Sequence, residues 1–199
     1  MRAILRGLTA AAAVLLAVAA CGPSVPPSIA GATPGPATGA ATRHVDVPGF
    51  AAFDLPPAWL TASFDKQAVE HATVLAYFST EALSQPCSRI PATSNCPEYP
   101  VERLNANGVL VTWTAFGLGG EAIDWSKGAP VTAGGQAGRL TTQDAGEACN
   151  AIIGEREMIV RIRGAQGPQY TEMDACYLGP DLDKTEKQLR AMLASAIWH

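Results

Sequence analysis

Charge is scarce in this chain of 199 residues: Asp, Glu, Lys and Arg make up only 16%, and the formal net charge is −4. A surface that neutralises phosphates needs a basic stripe, and 14 basic residues dispersed among 18 acidic ones supply none, which excludes nucleic acid as a partner. Aromatic residues are few, at 7%, while prolines number 15; both argue against a dense helical bundle and for strands and turns. The apolar share of 48% excludes a fully disordered chain.

Signatures of chemistry are missing as well. His44, His71 and His199 sit at no helical metal spacing, and the five cysteines include no C-x₂-C pair, so zinc is not expected. There is no G-x-S-x-G turn to present a nucleophilic serine, and Ser63, Ser79, Ser84 and Ser126 have no specific context. The glycine-rich stretch Gly117 to Glu121 lacks the lysine and helix start that hold phosphate. Glu121, Asp124, Glu147, Glu155 and Asp174 are carboxylates that no spacing pairs. The sequence therefore assigns no catalytic residue, no metal ligand and no cofactor.

What is present speaks to location. Arg2 and Arg6 precede an apolar run, Leu8 to Ala20, that closes as Val18-Ala19-Ala20-Cys21, the pattern of a secretory signal peptide. As a helix, a run of about 13 residues spans about 20 Å, short of the roughly 30 Å hydrocarbon core of a bilayer. The small residues before Cys21 resemble the lipobox of bacterial lipoproteins. That resemblance implies removal of residues 1–20 and acylation of the Cys21 thiol, a palmitate-type lipid anchor on the cell membrane. Loss of Arg2 and Arg6 leaves 12 basic against 18 acidic residues, a net charge of −6, so lipid rather than electrostatic attraction must hold the chain. Residues 21–42 contain five prolines, four glycines, five alanines and no charge, and are expected to be a disordered tether. The expected location of the remainder is extracytoplasmic.

Residues 43–199 read as one α+β domain: an antiparallel β-sheet packed by a C-terminal amphipathic helix and held by two disulfides. Four cysteines in an exported domain imply two bridges. Cys87 with Cys96 and Cys149 with Cys176 are the preferred pairs, because each brackets a segment that looks locally closed; the other two pairings remain open from sequence. Ala72 to Ser79 and Val109 to Phe116, the latter after the turn dipeptide Asn107-Gly108, are rich in β-branched and aromatic residues and read as inner strands. From Glu157 to Arg163, Met158, Val160 and Ile162 share a core face, while Glu157, Arg161, Arg163 and Ile159 face solvent. Tyr170 to Leu178 completes an antiparallel hairpin with that strand, and Gly134-Gly135 turns a second hairpin between Val131 to Ala133 and Gln136 to Thr142. Leu182, Leu189, Met192, Leu193, Ala196 and Ile197 lie near one helical face. Asp181, or Asp183 with Glu186, starts this helix.

The segment GFAAFDLPPAWL from Gly49 to Leu60, followed by strands, a Gly134-Gly135 hairpin and a terminal helix, resembles the order of elements in the Mog1/PsbP-like fold. GGQAGRL, DACYLGPDL and RAMLASAIW, together with ten arginines against four lysines, resemble uncharacterised exported lipoproteins of actinobacteria. The second resemblance spans residues 43–199 and implies a cell-envelope domain without carrying over any catalytic residue.

Trp59, Tyr77, Trp113 and Trp125 are candidates to line a groove. Alternation assigns Trp113 to the core with Val109 and Val111, and leaves Trp125, beside Asp124, Ser126 and Lys127, as the exposed candidate for ligand contact. Arg89, on the loop between Cys87 and Cys96, is a second candidate, since a stapled loop loses little entropy on binding. The leading expectation is a non-enzymatic binding or accessory domain for an envelope protein or a small ligand. The alternatives are a wall- or lipid-directed hydrolase whose acidic residues are brought together by the fold, and a structural subunit of an envelope complex.

Overall fold

The computed structural model describes residues 41–64, 68–69, 71–86, 97–117, 123–164 and 169–199. Cys21, nearly all of the tether, Cys87, Arg89 and Cys96 lie outside the described residues. The chain runs through β1 (Arg43–Val47), β2 (Ala51–Leu55), β3 (Leu60–Ala62), β4 (Ala68–Val69), β5 (Ala72–Ser79) and β6 (Val109–Phe116). It continues through β7 (Ala129–Ala133), β8 (Gln136–Asp144), α1 (Glu147–Ala151), β9 (Arg156–Arg163), β10 (Tyr170–Tyr177), α2 (Leu182–Ala194) and β11 (Ile197–Trp198).

Two antiparallel sheets result, and the domain is mostly β, where one sheet with a helix was expected. The small sheet has the order β1-β2-β11; the large one has the order β3-β5-β6-β10-β9-β8-β7, with β4 also on β5. The small sheet escaped the sequence reading because Ala51-Ala52-Phe53 is buried without interruption and shows no alternation, while β11 is only two residues long.

Local chemistry explains the hairpins and the cap. Gly134 and Gly135 carry φ of 52° and 82°, the left-handed pair that a two-residue turn between β7 and β8 requires. A Cβ on Gly134 would lie 1.9 Å from the Ala196 carbonyl oxygen, so the turn also forms part of the packing against the C-terminal segment. Of the two possible helix starts, Asp181 is the cap: its carboxylate accepts from the Lys184 backbone N–H at 3.2 Å. The helix stops at Ala194, and Ser195 Oγ turns back to donate to the Met192 carbonyl at 2.7 Å. Ile197 consequently belongs to β11 and not to the helix face; it is 57% exposed, while Trp198 packs against the core.

One core lies between the large sheet and its cover. Phe53 and Leu55 of β2, Val111 and Trp113 of β6, Met158 and Val160 of β9, Met173 of β10, and Leu189, Met192 and Leu193 of α2 are all buried in it. Each such side chain contributes roughly 1.5–3 kcal/mol by leaving water. The small sheet and α2 thus occupy one face of the large sheet. On the opposite, outer face a second, smaller core covers only one end: Tyr77, Leu110 and Cys176 of the sheet lie beneath Val101 and Leu104, and beneath Cys149 and Ile152 at α1. The Cys149–Cys176 disulfide joins α1 to β10 there, with Cα atoms 5.2 Å apart. Among the described residues, the second core does not extend over the other end of the outer face, which carries Arg139, Arg161, Arg163 and Glu172 beside Tyr170 and Phe116.

Among the described residues, no helix is long and apolar enough to cross a membrane.

Candidate functional site: a cationic groove on the outer sheet face

Cross-strand partners in a sheet share a face, so the ladders place the open end of the outer face residue by residue. Arg139 of β8 stands opposite Arg161 of β9, which stands opposite Glu172 of β10, which stands opposite Thr114 of β6. The next row holds Arg163, Tyr170 and Phe116. The rings of Tyr170 and Phe116 stack with centroids 4.5 Å apart. Arg161 Nε donates to Glu172 Oε2 at 2.5 Å. Arg139 has no charged partner among the described residues, although it faces a second arginine across the ladder, an arrangement that costs stability.

The turn before β7 forms a wall for this face. Asp124 Oδ1 accepts from the Ser126 backbone N–H at 3.0 Å and from Ser126 Oγ at 2.6 Å, which holds the Asp124 carboxyl below its ordinary range. The same turn presents Trp125, whose ring lies 4.7 Å below the Arg163 guanidinium. Two grooves result. One, of about 260 Å³, is lined by Ile123, Lys127, Arg139, Thr141, Arg161 and Tyr170, among others. The other, of about 450 Å³, is lined by Trp125, Pro130, Val131, Gly138, Arg139 and Arg163, among others. Arg139 belongs to both. Around them lie Lys127, Arg139, Arg161 and Arg163, countered by Asp124 and Glu172, in a chain whose overall charge is negative. Guanidinium groups grip carboxylate and phosphate oxygens in a fixed fork, and aromatic faces pack the adjoining apolar or ring atoms.

Of the four aromatic candidates, Trp125 lines a groove, whereas Trp113, Trp59 and Tyr77 are buried. The three arginines and Tyr170 were not singled out from sequence. Alternation along β9 does put Arg161 and Arg163 on one exposed face, but the β8–β9 register that adds Arg139 spans α1 and is not visible in the residues. His44 pairs with Asp54 and His199 with Asp46, each at 2.9 Å, so both are surface ion-pair partners when protonated.

A second polar feature lies where the open end meets the small core. Glu157, placed on the solvent side by alternation, is only 6% exposed. Gln143 Nε2 donates to its Oε2 at 2.6 Å, and Gly146 and the disulfide close around it. Cys149 Sγ lies 3.6 Å from Glu157 Oε1, but a disulfide sulfur has no proton, so this is a packing contact. Asp174 is adjacent, its pKa pushed up to about 7 first by burial, then by the charges of Glu157 and Glu172, against the opposing pull of Arg161. Asp174 Oδ1 has no partner among the described residues. An Asp174 oxygen and the sulfurs of Cys149 and Cys176 lie within 4.8 Å of one another, but bonded sulfurs offer no thiolate to a metal. Neither carboxyl lines the two grooves described above.

The pair has a consequence for stability. Asp174 binds its proton more tightly in the fold than in the unfolded chain, so its contribution is fully present below about pH 4 and is lost as pH rises through about 7. A shift of this size corresponds to at most about 4 kcal/mol. Asp174→Asn should therefore raise stability at pH 8 and leave it nearly unchanged at pH 4. Urea unfolding across that range tests this, and parallel curves for the two proteins would contradict it.

Neither a family model, nor a curated protein, nor a solved structure matches this chain.

Proposed function

We propose that this chain is a cell-envelope lipoprotein, anchored through acyl groups on Cys21, whose domain binds a small anionic ligand in the outer-face groove. The lipobox-like sequence, the uncharged tether of residues 21–42 and the likeness to exported actinobacterial lipoproteins support the anchored, extracytoplasmic placement. A second bridge between Cys87 and Cys96 belongs to the same reading. The single observation that carries the binding function is Arg139: a cation without a charged partner among the described residues, set opposite Arg161 and shared by two grooves. A residue that costs stability where it stands fits a role in holding something else.

Isothermal titration of inorganic pyrophosphate into the mature chain, residues 21–199 with Cys21→Ser to omit the acyl groups, tests the binding. Arg139→Gln should weaken binding at least tenfold, about 1.4 kcal/mol, while leaving the thermal midpoint unchanged or raised, because repulsion with Arg161 is relieved. Trp125→Ala should weaken binding several-fold by freeing Arg163. Failure of the unsubstituted chain to bind, or binding indifferent to Arg139→Gln, would refute the reading. The anchor has its own test: Cys21→Ala should abolish fatty-acid labelling and release the protein from membranes, and unchanged membrane association would remove the lipoprotein claim.

A further inference from the structure

Among the described residues, a depression lies between the sheets at the end marked by Arg163. A cleft of about 510 Å³ opens there between the small and large sheets, walled by Phe50, Leu75, Ala115, Ile162 and Trp198. Phe50, Leu75 and Trp198 are only partly buried although they pack against the main core. The volume falls within the ordinary range for small-molecule sites, roughly 300–1,000 Å³. Gln136, Arg163, Thr171 and His199 are at the lining, and the His199 ring is held by Asp46 Oδ1 at 2.9 Å.

Arg163 lines both this cleft and the Trp125 groove. It ends β9, an inner strand, so it stands at the end of the sheet, where the outer face meets the opening of the cleft. Gln136 in the cleft and Ala137 with Gly138 in the groove are consecutive residues of β8, so the two depressions adjoin along one strand. A ligand that satisfies both must be anionic at one end and apolar at the other.

We propose that the ligand is an anionic amphiphile, with its oxyanion head at Arg163 and Arg139 and its hydrocarbon portion in the cleft between the sheets. This rests on the anion-binding reading of the groove and adds the chemistry of the rest of the ligand. The head alone gains charge-assisted hydrogen bonds on an exposed surface, where screening weakens them. Hydrocarbon entering the cleft adds about 0.8 kcal/mol per buried methylene, so the apolar part supplies most of the affinity and the arginines set the orientation.

The test uses the Cys21→Ser mature chain and cis-parinaric acid, a fatty acid whose emission rises in an apolar site, kept below its micellar concentration. Saturable enhancement is expected, at least tenfold weaker for parinaric methyl ester and at least tenfold weaker in Arg163→Gln. Ala115→Phe, which fills the cleft, should abolish the enhancement while leaving pyrophosphate binding intact. Leu75→Gln serves the same purpose should Ala115→Phe fail to fold, and its affinity for the probe should fall at least fivefold. If pyrophosphate binds in an Arg139-dependent way but parinarate shows no saturable enhancement, the amphiphile proposal is wrong and the anion reading stands. If acid and ester bind equally and both ignore Arg163→Gln, the cleft takes neutral hydrocarbon and the proposal is likewise wrong. Enhancement unchanged in a folded Ala115→Phe, or an affinity unchanged in Leu75→Gln, would locate the probe elsewhere and overturn it too.

Discussion

Trp113→Ala is expected to destabilise the domain by roughly 3–5 kcal/mol, the cost of removing a large aromatic side chain from a packed core. Trp113 lies on β6 of the large sheet and is fully buried. Its ring meets Phe53 of β2 at 5.3 Å, Phe50 at 5.4 Å and Trp198 of β11 at 5.9 Å, so it joins the two sheets. A loss of this size is a large part of the 5–15 kcal/mol that holds an ordinary domain together. For a domain of this size it should lower the thermal midpoint by between roughly 6 and 20 °C. Trp113→Phe separates the contributions. The indole Nε1 finds no acceptor among the described residues, so phenylalanine removes an unsatisfied donor together with some volume, and the two changes oppose one another. We expect it to cost less than half of the alanine substitution. Equal losses for the two variants, or an alanine variant within 1 kcal/mol of the parent, would show that the sheets are not held together at this ring.

Removal of the Cys149–Cys176 bridge is the second large effect. The bonded residues are 27 apart in sequence, and closing such a loop lowers the entropy of the unfolded chain by about 3.6 kcal/mol in the simple chain model. The folded side of the balance is local. The bridge ties α1 to β10 within the smaller core, where α1 and the Val101 and Leu104 segment lie over Tyr77 and Leu110. The double substitution Cys149→Ala with Cys176→Ala avoids leaving a single reactive thiol and should cost about 3–4 kcal/mol. Hydrogen exchange should then quicken first at residues 97–104 and 147–153, before the strands of the main sheet. A loss below 1 kcal/mol, or exchange that quickens uniformly, would contradict this division into a robust sheet and a stapled cover.

The groove does not depend on that cover. Among the described residues, the outer face is covered at the bridged end and not at the arginine end, and the division follows from which side chains the strands present. Leu110, Tyr77 and Cys176 accept an apolar lid; Arg139, Arg161, Arg163 and Glu172 require water or a charged ligand.

Much of this was legible in the residues where the signal is local. β5 and β6 were readable from branched and aromatic runs, the β7–β8 hairpin from Gly134-Gly135, and the inward face of β9 from Met158, Val160 and Ile162. The preferred partner of Cys149 was likewise read correctly as Cys176. What sequence did not show depends on distant neighbours. Glu157 alternates onto the outer face as expected, yet it is buried because α1 and Gln143 close over it. The small sheet gains its third strand because β11, 142 residues after Leu55, returns to pair with β2. Arg139 becomes notable only when β8 lies beside β9, since its meaning is the arginine opposite and the missing counter-charge. Trp125 was identified because an aromatic among polar turn residues is conspicuous without any knowledge of its partner, Arg163.

The central claim is that the cationic end of the outer sheet face binds an anionic ligand. Its most direct measurement is a titration of the isotope-labelled Cys21→Ser mature chain with inorganic pyrophosphate, followed by the NMR signals of backbone amides, arginine side chains and tryptophan indoles. We expect saturable shifts concentrated at Arg139, Arg161, Arg163 and the Trp125 indole, with α2 and the small sheet unmoved and the response lost in Arg139→Gln. Shifts spread evenly over the surface, centred on α2, or absent at millimolar pyrophosphate would contradict it.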